Sequence, residues 1–377
     1  MTGISRRSFF IGSAVAGVST LASARTFSLD AASVNLFGPA SGIAKLNANE
    51  NPYGPSPKAL KAMVEASAHG AYYVRRSAQR LREMIAERHG LSSDYVVLSS
   101  GSSGVLTYLA LAASQQGKIL APDLFWDTTS LMGVRNSSNG IVRLPKSASL
   151  NIDLKAMEGA LDSDISMVHV TNPNNPTGMV LDSAELSAFC SRASEKCTVL
   201  VDEAYNELTA DPAASTMIPL VKAGKNVAVA RTFSKIYGLA GMRVGYMIAK
   251  PELLEKVKQY GLGDYGLNQA GVAAAVASYN DTEFLEYSKA KIVEAREMVS
   301  EALKQNGLTA LPSETNFMFV NLGAKNAESF RKAMADRNVL IRGIYRDYTH
   351  WSRVSMGKLE DVQQYVDALP VALELMA

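Results

Sequence analysis

The 377-residue chain predicts an α/β fold: a mostly parallel central sheet covered by helices on both faces, with a smaller α+β part toward the C-terminus. Three observations predict it. Short apolar runs recur between helical stretches and lack period-two alternation, as strands buried on both faces do. The intervening segments are long enough for the helical crossovers that parallel strands require. Polar groups follow directly after the apolar runs, at the carboxyl edge where such sheets hold ligands.

Taken in order, residues 1–24 read as a processing segment rather than as fold. Ser5-Arg6-Arg7-Ser8-Phe9-Phe10 precedes an uncharged run from Ile11 to Ala22 and the small-x-small site Ala22-Ser23-Ala24. This is signal-peptide anatomy, of the twin-arginine type, on a run too short to anchor the chain in a bilayer. The expectation is a soluble periplasmic protein, cut near Ala24.

A helix is expected over Gln79–His89, a strand over Tyr95–Leu98, and a helix over Val105–Ala113. Apolar strands follow at Ile119–Ala121, Ile141–Leu144, Met167–Val170, Thr198–Val201 and Val227–Ala230, with a helix at 182–195. Helices near 251–260, 268–279 and 282–306 come next, then strands near Phe317–Val320, Val339–Ile341 and Arg353–Ser355. The expected division is a large α/β domain over 66–265 and a small domain of 40–65 and 266–377.

Composition narrows the function. With 47% hydrophobic and 20% charged residues the chain is neither a disordered polyelectrolyte nor a disulfide-stapled miniprotein. A net charge of +2 lacks the basic excess of a nucleic-acid binder. Cys190 and Cys197 read as buried thiols, and no His or Cys spacing suggests a metal site. Gly261-Leu-Gly263-Asp-Tyr-Gly266 has dinucleotide spacing but no preceding strand, so it carries no such reading.

Four segments carry candidate chemistry. Asp202 directly follows a strand, as a helix cap or as a buried anion that needs a cation. Lys235 follows Thr232 and Ser234, as a surface lysine or as an amine that must lose its proton to attack a carbonyl. Asn172-Pro-Asn174-Asn175-Pro-Thr177-Gly178 is a rigid turn with more hydrogen-bonding capacity than a turn requires. Ser99-Ser-Gly-Ser102-Ser103-Gly104 opens a helix and can expose N–H groups to an anion, with Arg243 as a second positive group or a structural ion pair. Together they describe a pyridoxal phosphate site.

With Leu46-Asn-Ala-Asn-Glu50-Asn51-Pro52-Tyr53-Gly54, Asp202-Glu-Ala-Tyr205, Ser234-Lys235 and Gly238-Leu-Ala-Gly241-Met-Arg243-Val-Gly245, the chain resembles the fold-type I, class I/II aminotransferases, and among them the histidinol-phosphate aminotransferase family. The resemblance covers about residues 40–370 and implies a three-layer fold. It implies that Lys235 is the Schiff-base lysine and proton shuttle, and that Asp202 pairs with the cofactor's ring nitrogen. Asn175 and Tyr205 would hydrogen-bond its phenolic oxygen. Ser102, Ser103, Thr232, Ser234 and Arg243 would hold its phosphate. Phe125 would stack on the ring, with Trp126 as second choice. Arg353 would clamp the substrate carboxylate, with Tyr53 at the entrance and Asn175 nearby. Tyr73 would reach the phosphate of a neighbouring subunit, which implies a homodimer.

The expected activity is transamination between an amino acid or amine and a 2-oxo acid. Decarboxylation or racemisation on the same site is the alternative, and a cofactor-scaffold binding protein the non-enzymatic one. Because histidinol phosphate is a cytoplasmic intermediate, the export signal leaves the substrate open.

Overall fold

The computed structural model describes residues 37–145 and 147–376, so the expected signal segment lies outside the described residues. Residues 37–40 form a short exposed bend. Residues from Ser41 onward form one compact unit.

Its centre is a seven-stranded sheet. The strands of this unit are β1 (Ala44–Leu46), β2 (Val96–Ser99), β3 (Lys118–Pro122), β4 (Ile141–Leu144), β5 (Ile165–Thr171), β6 (Thr198–Asp202), β7 (Val227–Thr232) and β8 (Gly245–Ile248). They continue with β9 (Thr309–Ala310), β10 (Phe317–Asn321), β11 (Val339–Ile341) and β12 (Trp351–Ser355). The sheet order is β2-β8-β7-β6-β5-β3-β4, and only β8 runs against its neighbours. The carboxyl ends of the other six therefore share one edge.

Strict alternation is missing from these strands because both faces are covered. Val168, Val170, Val199, Val201, Val227 and Val229 pack on one side with Leu186 and Phe189 of the helix Ser183–Ala193. Met167, Leu200, Ala228, Ala230 and Met247 face the other side, against Val105, Leu106 and Leu109 of the helix Ser102–Ser114. Apolar residues thus occupy both parities of each strand.

The smaller sheets use the chain's two ends. The order β12-β10-β9 is antiparallel, while β1 pairs in parallel with β11, Ala44 opposite Val339. The segment after β1 then docks on the loop that follows β7. Asn51 Nδ2 donates to the Ile236 carbonyl at 2.6 Å. Gly54 and Gly238 meet backbone to backbone, and a Cβ on Gly54 would lie 2.6 Å from the Gly238 Cα.

Most expected elements appear with ends shifted by a few residues. Three short strands escape the sequence reading: β1, β8 and β9. β8 begins at the last glycine of the 238–245 motif and pairs antiparallel with β2 and β7 on either side.

Candidate functional site

The shared carboxyl edge opens into a cavity of about 710 Å³. Ser102, Ser103, Phe125, Trp126, Asn175, Asp202, Tyr205, Thr232, Ser234, Lys235, Arg243 and Arg353 all line it.

One wall is an anion cradle. The helix Ser102–Ser114 starts at Gly101 without a side-chain cap, leaving its first N–H groups free for a ligand. Arg243 reaches over it, its Nη2 3.1 Å from Ser103 Oγ and its Nη1 3.4 Å from Ser234 Oγ. Gly101 has φ +72°, and a Cβ there would lie 2.2 Å from Arg243 Nη2, so glycine is what admits the guanidinium. Gly245 is bare for a similar reason, since its Cβ would meet Ser102 N at 2.1 Å. Thr232 Oγ1 lies 2.9 Å from Ser234 Oγ, completing a cluster of hydroxyls.

Asp202 ends β6 at 2% exposure. Among the described residues its Oδ1 accepts the Ala204 N–H alone, at 3.2 Å, so it braces a turn rather than capping a helix. It has no ion pair among the described residues. Burial pushes its carboxyl up to about 7, against the pull of the Ala204 N–H and of Lys235. Lys235 Nζ donates to the Asn49 carbonyl at 3.0 Å and lies 5.4 Å from the Tyr205 ring centroid. Burial and then Arg353 hold the amine down to about 8. An amine of lowered basicity and a buried acid without an ion-pair partner among the described residues thus share one cavity.

Tyr205 is buried, and its hydroxyl oxygen accepts from Asn49 Nδ2 at 2.8 Å and Asn175 Nδ2 at 3.4 Å. Of the three asparagines in the 172–178 turn, Asn175 alone faces the cavity. Asn172 Oδ1 accepts the Leu181 N–H, and Asn174 Nδ2 braces the Leu124 carbonyl beside Phe125. Phe125 stands edge-on to His169 at 5.1 Å.

Arg353, on β12, is 5% exposed. Its Nη1 donates to Asn175 Oδ1 at 3.1 Å and its Nη2 to the Asn47 carbonyl at 3.2 Å, while its Nε has no hydrogen-bond partner among the described residues. It makes no ion pair among the described residues, so a buried cation faces the cavity in want of an anion. Its guanidinium lies 5.4 Å from the Tyr345 ring centroid, and that of Arg342 lies at the same distance from the same ring.

Two expected residues lie elsewhere. Tyr53 does not line the cavity, because its hydroxyl is occupied by the Leu359 N–H at 3.2 Å and its ring packs edge-on to Tyr287. Tyr73 is 72% exposed and edge-on to Tyr265, outside its own chain's cavity. The sequence reading misses Asn49, Arg342, Tyr345 and Arg346, all of which line the cavity. Asn49 was visible only as part of a motif. The three residues of 342–346 follow the three-residue strand β11, where nothing marks them as inward-facing.

The donor set fits pyridoxal phosphate. The cradle suits a phosphate, Asp202 lacks a cation such as a protonated ring nitrogen, Tyr205 and Asn175 are hydroxyl and amide groups at one spot, and Lys235 is an amine of lowered basicity.

The comparisons agree with this geometry. The family profile described as "Aminotransferase class I and II" matches residues 41–369. A histidinol-phosphate aminotransferase of Symbiobacterium thermophilum is 36% identical over 88% of this chain and 91% of its own. An aromatic amino acid aminotransferase of Thermobifida fusca is 34% identical over 86% and 89%. The solved histidinol-phosphate aminotransferase of Sinorhizobium meliloti, in complex with pyridoxal-5'-phosphate, superposes with a TM-score of 0.81 at 27% identity, covering 95% of this chain and 100% of that one.

Proposed function

Because the chain belongs to the class I and II aminotransferase family, we propose that its cavity selects amino donors bearing an anionic group beside the amine, in a homodimer exported from the cytoplasm. The protein is a pyridoxal-phosphate-dependent aminotransferase of fold type I that moves an amino group between an amino acid or amine and a 2-oxo acid. The observation that carries the residue assignments is the sharing of one cavity by Asp202, Lys235 and the Ser103–Arg243 cradle.

Pyridoxal phosphate supplies, when bound, an aldehyde that condenses with amines and a protonated ring that draws electrons from the substrate Cα. The helix N-terminus at Ser102, the hydroxyls of Ser103, Thr232 and Ser234, and Arg243 would hold the phosphate. Asp202 would hold the proton on the ring nitrogen, Phe125 would cover a ring face, and Tyr205 and Asn175 would donate to the phenolic oxygen. Lys235 Nζ, held down to about 8, is partly neutral at neutral pH and can take the Cα proton as a base. Arg353 would bind the donor carboxylate, its planar fork fixing the Cα–H direction toward Lys235. Arg342 and Arg346, which line the same cavity, support selection for a second anion.

Tyr72, Tyr73, Leu262 and Tyr265 are 71%, 72%, 74% and 65% exposed, a patch that supports pairing of two copies with Tyr73 reaching across. Export rests on Ser5 to Ala24 and argues against histidinol phosphate as the natural donor. The reading keeps a lobe of residues 66–265 and another of 40–65 plus 266–377.

The deciding experiment mixes cofactor-loaded protein with single amino donors and follows absorbance. Conversion of the cofactor to its amine form with equimolar 2-oxo acid, most readily with anionic donors, is the expected result. Release of carbon dioxide, or loss of chirality without oxo acid, would assign the site to a decarboxylase or racemase instead.

A further inference from the structure

We propose that Asn49 is a positioning residue that aims the Tyr205 hydroxyl proton at the cofactor's phenolic oxygen, an inference that rests on the cofactor assignment above. A phenol can donate its proton to only one partner. Which partner depends on whether its neighbours donate or accept, and here both neighbouring amides turn their nitrogen toward it.

Arg353 has only donors, so the oxygen of Asn175 must face its Nη1 at 3.1 Å, which turns the Asn175 Nδ2 toward Tyr205 at 3.4 Å. On the other side, Ser355 Oγ donates to Asn49 Oδ1 at 2.7 Å, and Asn49 Nδ2 donates to the Tyr205 hydroxyl oxygen at 2.8 Å. Both amides spend N–H groups on that oxygen, so neither can take its proton. Tyr205 lines the cavity, and its O–H is left to point into it. Tyr205, Asn49 and Ser355 are 3%, 6% and 1% exposed, so bulk water offers no competing acceptor. The Asn49 carbonyl also accepts from Lys235 Nζ at 3.0 Å, so one residue sets both the resting amine and the phenol. Asn49 itself is held by the docking of its segment through Asn51 and Gly54 on the loop after β7.

A proton donated to the phenolic oxygen favours its anionic form, and this is readable without substrate as the pH midpoint of the holoenzyme's visible absorbance. The charged groups facing Lys235 and Tyr205 are Asp202 from β6, Glu50 from the N-terminal segment, Arg353 from β12 and Arg243 from the loop after Lys235. All of them are retained in the variants below.

N49D keeps the shape but offers a carboxylate that accepts from both Ser355 and Tyr205, turning the phenol proton away from the cavity. Its added charge also raises the midpoint, with or without the phenol, so N49D is measured in the wild-type and in the Y205F backgrounds. The expected result is an upward shift larger by about one to two pH units when Tyr205 is present. S355A, which is neutral and frees the Asn49 amide to turn over, should give a smaller rise that Y205F abolishes. Equal N49D shifts in the two backgrounds, or S355A at the wild-type midpoint, would overturn the proposal. If N49D does not load cofactor, S355A alone decides. Borohydride trapping on Lys235 in each variant shows that cofactor is bound. A Y205F midpoint equal to wild type would remove the Tyr205 assignment itself and the relay with it.

Discussion

Asp202 holds its proton to unusually high pH in the cofactor-free protein, and this has a measurable sign. Its folded-state pKa, about 7, lies above the unfolded value of about 3.9, so the folded protein binds more protons between those limits. Stability contributed by the neutral acid is present at low pH and is lost as pH rises through about 7. A displacement of this size corresponds to about 4 kcal/mol at most. Cofactor-free D202N should therefore gain stability over wild type between about pH 5 and about pH 8, as read by thermal melts. An offset identical at both pH values would show that Asp202 is not the titrating group. Lys235 works in the opposite sense at higher pH. Its pKa is depressed to about 8, so the unfolded chain binds more protons above that, and stability rises with pH there. At the substrate end, R353K keeps the charge but loses the fork. KM for carboxylate donors should rise about 10- to 100-fold with a smaller change in kcat, and amines without a carboxylate should be unaffected. A kcat loss with unchanged KM would place Arg353 elsewhere in the reaction. Asp202 and Lys235 were legible because each lies at or just past the carboxyl end of a strand that announces itself by composition. Asn49 was not, because its role depends on a hydroxyl at 355 and a phenol at 205, and no local pattern records such a triangle.

At the scale of elements, the join between the β2–helix turn and β8 is the part with least slack. G101A would force an alanine into a left-handed backbone and drive its methyl into the Arg243 guanidinium. It should lower stability by about 1–3 kcal/mol and weaken cofactor binding about 10- to 100-fold by equilibrium dialysis. Unchanged cofactor affinity would remove Arg243 from the phosphate site. The long apolar strands β5, β6 and β7 were readable because each is buried on both faces along its length. The strands β1, β8 and β9 are two to four residues long and owe their conformation to their partners, so composition carries little of them. The same holds for the segment 342–346, which reaches the cavity by its connection to β11 and β12.

At the scale of the whole molecule, two predictions concern assembly and address. L262D/Y265D puts charge into the exposed aromatic patch and should convert a dimer to a monomer in sedimentation, with faster loss of cofactor. A dimer of unchanged strength would place the interface elsewhere. R6K/R7K tests the proposed twin-arginine export and should leave the precursor in the cytoplasm on fractionation. Normal export of that variant would exclude the twin-arginine route. The export expectation comes from the order of residues 5–24, whereas the dimer comes from the family resemblance through Tyr73, since no local pattern in one chain marks a surface for its partner.

The parallel pairing of Ala44 with Val339 also dictates a timetable. A ribosome delivers residue 44 long before residue 339, so the first strand must wait, unpartnered, for nearly all of synthesis. Asn49 and Arg353, which the pairing brings in, cannot be set against Tyr205 and Lys235 until then, so no partly made chain holds the finished cavity.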